Sequence, residues 1–213
     1  MACVLAASAA MVMGGCSPAS ETKKEAAPAP AAKPEPVPDL YHVQLDTSKG
    51  LVELEIHRDW APRGADHFYE LVHTGFFNDE RFFRVVHDFV VQFGINGDPQ
   101  INALWASAML VDDPVKEHNV KGTVTFAMRG PNTRSTQLFI NLADNRKALD
   151  GHGFAPIGKV TAGMDVVESL YSFYGDMAPR GPGPDPDLIQ RQGTPYLESH
   201  FPRLDFIKKA VIR

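Results

Sequence analysis

Cysteine is scarce in this chain of 213 residues, which has two, Cys3 and Cys16, both close to the N-terminus. No thiol follows residue 16, so that part can form neither a disulfide nor a cysteine-bound metal site, and packing alone must stabilise it. Histidine is not arranged for metal binding either. His67 and His73 are six residues apart, which is not a ligand spacing on one helical face and predicts solvated side chains; His118 has no neighbouring ligand. The sequence predicts no metal site and no cofactor.

Positive charge and long apolar runs are also limited. The chain has 21 Lys and Arg against 26 Asp and Glu, a net charge of −5, and no basic stripe that would neutralise phosphates. This argues against nucleic-acid binding. No apolar run of transmembrane length and no internal repeat is present. With 44% apolar residues, the composition suits one globular domain preceded by extra sequence.

The extra sequence begins with an uncharged, mostly apolar stretch, residues 1–15. It is too short to span a bilayer as a helix and is typical of a secretory signal peptide. Gly14, Gly15 and Cys16 resemble the lipobox of bacterial lipoproteins, although Met13 stands where that motif usually has leucine. We interpret residues 1–16 as a signal peptide with a lipobox and Cys16 as the lipidation site. A plain signal peptide with an incidental cysteine is the alternative.

Residues 17–38 consist mainly of Pro, Ala, Lys and Glu. Such a segment has too little apolar surface to order itself and favours an extended, semi-rigid polyproline II tether. The expected location is therefore the bacterial cell envelope, as a periplasm-facing lipoprotein that touches the membrane only through its lipid anchor. A soluble periplasmic or secreted protein is the alternative. Residues 39–213 form the predicted domain.

Within the domain, alternating apolar and polar residues at 41–59 predict a β-hairpin, with Val43 and Leu45 facing inward. Apolar residues at helical spacing predict one helix over residues 62–75 and a second after Gly163. Further strands are predicted within residues 81–94, 122–128, 136–142 and 154–160 and at the C-terminus, about eight in all. Residues 176–188, dense in Pro and Gly, predict a loop, and a short helix is expected around 103–108, where Trp105 pins its loop to the domain.

Residues 81–94, RFFRVVHDFVVQFG, contain two apolar runs separated by His87 and Asp88, a pattern of two strands joined by a tight turn. Arg84 and Gln92 are eight residues apart, an even spacing that places them on one face with Phe82 and Val90 if the turn keeps the register. That face would combine a permanent cation, an amide and apolar surface. The alternative is an exposed strand face for Arg84 and a sheet edge for Gln92.

Two later blocks, residues 125–142 and 149–160, contribute a Gly-Pro-Asn-Thr turn, a strand with Gln137 and Phe139, and the run LDGHGFAPIGKV. Together with residues 81–94 they resemble the cyclophilins, peptidyl-prolyl cis-trans isomerases, from about residue 40 to the C-terminus. The resemblance implies a mainly β fold, a closed eight-stranded antiparallel barrel capped by two α-helices. It also implies isomerase activity in protein folding, with proline-containing peptides and unfolded client proteins as partners. Nothing in the sequence indicates a coiled coil, and a monomer is expected.

The resemblance further implies the roles of particular residues. Arg84 is the donor to the imide nitrogen, Gln92 contacts the substrate backbone, and Phe89 completes the catalytic set. The other implied substrate-binding residues are Val90, Ala127, Met128, Gln137, Phe139, Leu149 and Phe154. For Met128 the main chain matters more than the side chain, because this segment pairs with the bound peptide.

This sequence departs from the family pattern at three places in the implied substrate-binding site. Val90 replaces a common methionine, and Ala148 replaces a tryptophan that donates to cyclosporin in many members. We therefore expect weak inhibition by cyclosporin; nanomolar inhibition would contradict this. The segment that follows Asp150, which forms the rim of the substrate pocket in the family, is one residue longer in this chain. His152 or Phe154 is therefore left to complete the pocket.

Two other functions fit parts of the pattern. A peptide-binding adaptor of the cell envelope would use the same groove with little or no turnover, but it would not need Arg84 as a donor. A lipocalin-type barrel would need a hollow interior, whereas the large apolar residues expected inside this barrel would fill it.

Overall fold

The predicted hairpin is present and begins the sheet. In the computed structural model, which describes residues 36–213, Val43 and Leu45 of its first strand are buried, as expected, and Val52 and Leu54 of its second strand are buried with them. The two strands pair in antiparallel register, with Val43 opposite Leu54. Period-two alternation therefore sets both the strand and its inward face.

Nine strands and six α-helices make up the described part of the chain. The strands are β1 (Leu40–Thr47), β2 (Leu51–His57), β3 (Glu80–Arg81), β4 (Arg84–Val86), β5 (Val90–Phe93), β6 (Thr123–Phe126), β7 (Leu138–Asn141), β8 (Pro156–Ala162) and β9 (Phe206–Ile212). The helices are α1 (Pro62–His73), α2 (Pro99–Trp105), α3 (Arg146–Leu149), α4 (Met164–Glu168), α5 (Pro186–Gln192) and α6 (Thr194–His200).

The strands form one antiparallel sheet in the order β3-β9-β1-β2-β8-β6-β7-β5-β4, curled as a half-barrel. The predicted closed eight-stranded barrel is wrong, because no ladder joins β3 to β4 at the two ends of this order within the described residues. The expected continuous strand from Arg81 breaks at Phe82 and Phe83. Before the break the chain pairs with β9, and after it with β5, so one predicted strand becomes two.

The expectation of two helices is also wrong, because the described residues contain six α-helices. The helix α1 was expected and packs on the sheet, and α4 begins after Gly163 as predicted. The loop predicted over residues 176–188 ends in α5, because the Asp185 side chain accepts hydrogen bonds from the first-turn N–H groups and Pro186 occupies the first turn. The short helix expected at 103–108 is α2, which begins earlier, at Pro99.

His67 is buried rather than solvated. Its ring packs edge-on against Trp105 and at a tilt against Phe126. Burial lowers the pKa of His67 below its ordinary value. Trp105 also contacts Phe76 and lies against the main core, which confirms that it pins its loop to the domain.

Three buried clusters divide the interior. The main core lies between the sheet and α1, and a second core joins Phe83 to side chains of α5 and α6. The third is small, with Val90, Phe139 and Leu149 at its centre. Neighbouring residues of β5 and β7 alternate between the main core and this third cluster, so the sheet's pleat brings the site side chains to one face. Within residues 36–213, no helix is long and apolar enough to cross a membrane.

Candidate functional site

Arg84 and Gln92 are direct partners across the β4–β5 ladder, and Gln92 lies opposite Phe139 on β7. The prediction that Arg84, Gln92 and Val90 share a face is confirmed, since all three lie beside the third cluster while Val91 points into the main core. Phe82 was expected on that face and is instead in the main core. The break at Phe82 and Phe83 interrupts the pleat, so even spacing no longer predicts the face there.

A cavity of about 210 Å³ opens at this face. Nine of the ten residues predicted for the site line it, all except Gln137. The lining residues are Arg84, Phe89, Val90, Gln92, Ala127, Met128, Phe139, Leu149 and Phe154, with Met177 and Arg180 as additions. Of the two rim candidates, Phe154 lines the cavity, whereas His152 is exposed. The structure brings the predicted residues together; their roles stay predictions.

The guanidinium of Arg84 is held at two of its nitrogens. Nε donates to Oδ1 of Asp176 at 2.6 Å, and Nη1 donates to Oε1 of Gln92 at 2.9 Å. Cζ lies 5.5 Å from the centre of the Phe89 ring, within cation–π range. Nη2 donates to no residue of the described chain, and Arg84 is only 8% exposed. One nitrogen of a buried, oriented cation therefore remains available beside the apolar cavity.

Burial and ion pairing act in opposite directions on this cation. Desolvation lowers the pKa of Arg84, and the hydrogen bond and charge of Asp176 partly restore it. For Asp176, partial burial raises the pKa, but the hydrogen bond and charge of Arg84 outweigh it, so the pKa lies below the ordinary value. Both groups are charged at neutral pH.

Gln137 extends the polar chain by one residue. Its Oε1 accepts from Nε2 of Gln92 at 3.0 Å, which leaves the Gln92 amide oxygen directed at Arg84. Gln137 lines a second cavity of about 200 Å³ that shares Gln92, Ala127 and Met128 with the first. The two cavities therefore adjoin, and together they are called the groove below.

The apolar wall consists of aromatic and aliphatic side chains in contact. Phe139 and Phe154 meet edge to face with ring centres 5.8 Å apart, and Val90 and Leu149 pack against them. A small apolar ring entering the cavity would contact hydrophobic surface on several sides. The polar groups Arg84 and Gln92 lie at one margin of that surface.

Met128 lines both cavities. The N–H of Ala127 donates to the carbonyl of Gln137, but neither main-chain group of Met128 is bonded within residues 36–213. Free N–H and C=O groups beside a strand end can pair with an extended peptide as an added strand.

A buried network of asparagines supports the apolar wall from behind. Asn145 donates to the main-chain oxygen of Phe89 and to the side chain of Asn141. Asn119 donates to Asp150 and to the main-chain oxygen of Phe154, both at 2.8 Å. These bonds fix the backbone at two positions of the cavity wall.

Sequence reasoning missed Asp176, Met177 and Arg180 because they lie in the Pro- and Gly-rich segment predicted as a loop. It also missed the asparagine network, although Asn141 interrupts an apolar strand and was a visible signal. Within the described residues, no three His, Asp or Glu side chains are placed to hold a metal ion.

Comparisons with known proteins give the family and the fold of this chain. The family model described as "Cyclophilin type peptidyl-prolyl cis-trans isomerase/CLD" matches residues 42–188. Peptidyl-prolyl cis-trans isomerase-like 1 of Rhizopus delemar is 34% identical over 134 residues, covering 60% of this chain and 78% of its own. Peptidyl-prolyl cis-trans isomerase A of Dickeya dadantii is 34% identical over 140 residues, covering 61% and 70%.

Among solved structures, a cyclophilin type isomerase of Cryptosporidium parvum superposes with a TM-score of 0.59 at 18% identity. The superposition covers 82% of this chain and 98% of that one, which shows the same fold. With the family model matching well over half of its length, this chain belongs to the cyclophilin family of peptidyl-prolyl cis-trans isomerases.

Proposed function

We propose that the groove accelerates rotation about the peptide bond before proline by binding the twisted amide more tightly than either planar form, with Arg84 donating to the imide nitrogen. Rotation must break amide resonance, which gives a barrier of about 20 kcal/mol. No covalent bond forms or breaks, so preferential binding of the twisted state is sufficient for catalysis. The mechanism requires no cofactor.

The observation that carries this proposal is the Arg84 guanidinium, oriented by Asp176 and Gln92 with Nη2 unengaged beside an apolar cavity. In the twisted amide the nitrogen recovers a lone pair, and a donor directed at it stabilises only that state. Arginine suits this role because its planar fork keeps its charge and its geometry. Water is largely excluded from Arg84, which strengthens the interaction.

The remaining residues would hold the substrate still. Phe89, Val90, Phe139, Leu149 and Phe154 would surround the proline ring, so that the preceding carbonyl swings while the ring stays in place. Gln92 would contact the substrate backbone, and the main-chain groups of Met128, next to Ala127, would pair with the extended peptide. Gln137 would contact the residue bound in the adjoining cavity.

The test compares the cis-to-trans rate of an Xaa-Pro peptide with wild type, Arg84→Ala and Arg58→Ala. Arg58 is the matched control, because its Nε also donates to an aspartate at 2.6 Å, in a pair with Asp66 remote from the cavity. We expect Arg84→Ala to lose roughly 10²- to 10³-fold in kcat/KM, the usual effect of removing one oriented donor, and Arg58→Ala to match wild type. A folded Arg84→Ala protein with wild-type activity would refute the mechanism. Peptide binding by wild type without acceleration would favour the adaptor alternative.

The proposed setting is the bacterial cell envelope, where the enzyme assists folding of client proteins as a periplasm-facing lipoprotein. The support is the sequence of residues 1–38, of which residues 1–35 lie outside the described residues: a short apolar stretch, a lipobox ending at Cys16, and a proline-rich tether. Mass spectrometry of the full-length chain expressed in a bacterium should find lipid on Cys16. Cys16→Ser should move the protein from the membrane to the soluble fraction. An unlipidated, soluble wild-type chain would indicate the plain signal peptide.

A further inference from the structure

Asp176 holds the Arg84 guanidinium by a different nitrogen from the one that Gln92 holds. Its Oδ1 accepts from Nε at 2.6 Å, while its Oδ2 lies 3.4 Å from Nε of Arg180. The carboxylate therefore does not engage Nη2 of Arg84, in contrast with Asp66, whose two oxygens accept from Nε and Nη2 of Arg58. Asp176 fixes the cation without bonding to Nη2 of Arg84, a residue that lines the cavity.

Two anchors are needed to orient a planar group on a flexible stem. With Gln92 alone, the guanidinium of Arg84 can turn about a single hydrogen bond, and Nη2 has no fixed direction. A second anchor at Nε sets the plane of the group. We propose that Asp176 is the positioning residue that sets the direction of Nη2 toward the imide nitrogen of the substrate, an inference that rests on the proposed role of Arg84.

Asp176 is itself held by the chain around it. Oδ1 accepts from the N–H of Met177 at 2.8 Å, and its main-chain oxygen accepts from the N–H of Gly183 at 2.9 Å. A Cβ at Gly181 would lie 2.4 Å from that main-chain oxygen, so only glycine fits against it. The Pro- and Gly-rich segment thus folds closely around Asp176 and presents its carboxylate to the groove.

A purely structural role for Asp176, as a brace within its own segment through the N–H of Met177 and the side chain of Arg180, predicts a different pattern of mutant effects. Such a brace would contribute equally whether or not Arg84 is present. A positioning residue acts only through Arg84, so its removal matters only while Arg84 is there to be oriented.

The experiment is a double-mutant cycle on the full-length chain, with kcat and KM measured for an Xaa-Pro peptide. Asp176→Ala is expected to lose roughly tenfold to hundredfold in kcat/KM, mainly in kcat, as for a misplaced catalytic group. In the Arg84→Ala background, the same substitution should change the rate by less than about twofold. Asp66→Ala, which removes the matched carboxylate from Arg58, should leave the activity at the wild-type level.

Equal losses in the two backgrounds, no loss in either, or a gain of activity would overturn the positioning role. If Arg84→Ala alone retains wild-type activity, the proposed mechanism fails, independently of Asp176. Should Asp176→Ala not fold, Asp176→Asn replaces it in both backgrounds, because it keeps an acceptor oxygen and removes the charge. NMR supplies a readout apart from activity: the Arg84 Nε–H proton should exchange slowly with water in wild type and rapidly in Asp176→Ala, and equal exchange in both would also overturn the proposal.

Discussion

Two arginines are almost fully buried in this domain, Arg84 and Arg134, and they differ in how completely their guanidinium groups are hydrogen bonded. Arg134 uses all three nitrogens: Nε donates to Asp112, Nη1 to Asp113, and Nη2 to the main-chain oxygen of Val111. Arg84 uses two and leaves Nη2 without a partner in the described chain. The carboxylate partners differ as well, since the Asp113 side chain is 0% exposed and that of Asp176 is 28% exposed.

This difference separates a structural cation from a functional one. Arg134 ties the segment before β6 to the segment before β7, and Asp113 also accepts from the N–H groups of Arg63 and Gly64 in the first turn of α1. Each guanidinium nitrogen of Arg134 already donates to a protein oxygen, and the side chain is closed to solvent. Arg84 lines a cavity, and its Nη2 donates to no residue of the described chain. An unpaired donor is useful only when a ligand accepts a hydrogen bond from it.

The largest expected effect separates the two arginines by stability. Arg134→Met should lower the free energy of unfolding by about 3–5 kcal/mol, because it leaves Asp113 buried without its cation. Arg84→Met should lower it by about 1 kcal/mol, since the partly exposed Asp176 can be hydrated after the change. Urea unfolding at pH 7 measures both, and each variant serves as the control for the other. Equal losses in the free energy of unfolding would mean that the number of bonded guanidinium nitrogens does not distinguish the two arginines.

The next effect concerns a buried neutral side chain whose donor and acceptor are both bonded. Asn119 is fully buried, accepts from Thr125 and donates to Asp150 and to the main-chain oxygen of Phe154. Asn119→Ala should lower the free energy of unfolding by about 1–3 kcal/mol, because partners in the interior lose their hydrogen bonds. Gln100→Ala, at an exposed position of α2, is the control and should be neutral. A loss no larger than that of the control would show that the network is dispensable for stability.

The third effect concerns Glu80, a fully buried carboxyl group to which no cation is bound within residues 36–213. Burial raises its pKa well above 4.5, so the folded state keeps a proton that the unfolded chain releases. The contribution of protonated Glu80 to the free energy of unfolding is therefore fully present below the pKa of Glu80 in the unfolded chain. Above that pKa the free energy of unfolding falls by about 1.4 kcal/mol per pH unit, until the pH reaches the pKa of Glu80 in the folded protein.

Glu80→Gln removes this titration. Its free energy of unfolding should decline less steeply than that of wild type between pH 4.5 and 6.5, in urea series at fixed salt. Glu198→Gln, at an exposed carboxylate, should follow the wild-type slope. Parallel curves for wild type and Glu80→Gln would mean that Glu80 is ionised in the folded protein.

Local patterns were sufficient to predict the elements that depend on near neighbours. The Arg84 and Gln92 pairing followed from a two-strand pattern within fourteen residues, and the first hairpin and α1 from simple periodicity. The prediction for Phe82 failed where the chain changes pairing partner, because periodicity holds only while a ladder continues. The prediction of a solvated His67 failed because Trp105, which is distant in sequence, covers that face of α1.

The second anchor of Arg84 could not be predicted from spacing. Asp176 follows Arg84 by 92 residues and lies in a segment whose glycines and prolines indicated only a loop. The domain has many acidic residues, and which of them meets a given arginine is decided by the path of the chain around it. The resemblance to cyclophilins supplied the residues of the groove, and the structure added the carboxylate that holds its cation.

The last prediction is that kcat/KM does not change with pH. The two charged groups of the proposed mechanism do not titrate between pH 5 and 8: Asp176 has a pKa below its ordinary 3.8, and Arg84 stays protonated although burial lowers its pKa. The logarithm of kcat/KM should therefore be level from pH 5 to 8, after correction for unfolded protein. A step near pH 6.5 would instead indicate a histidine.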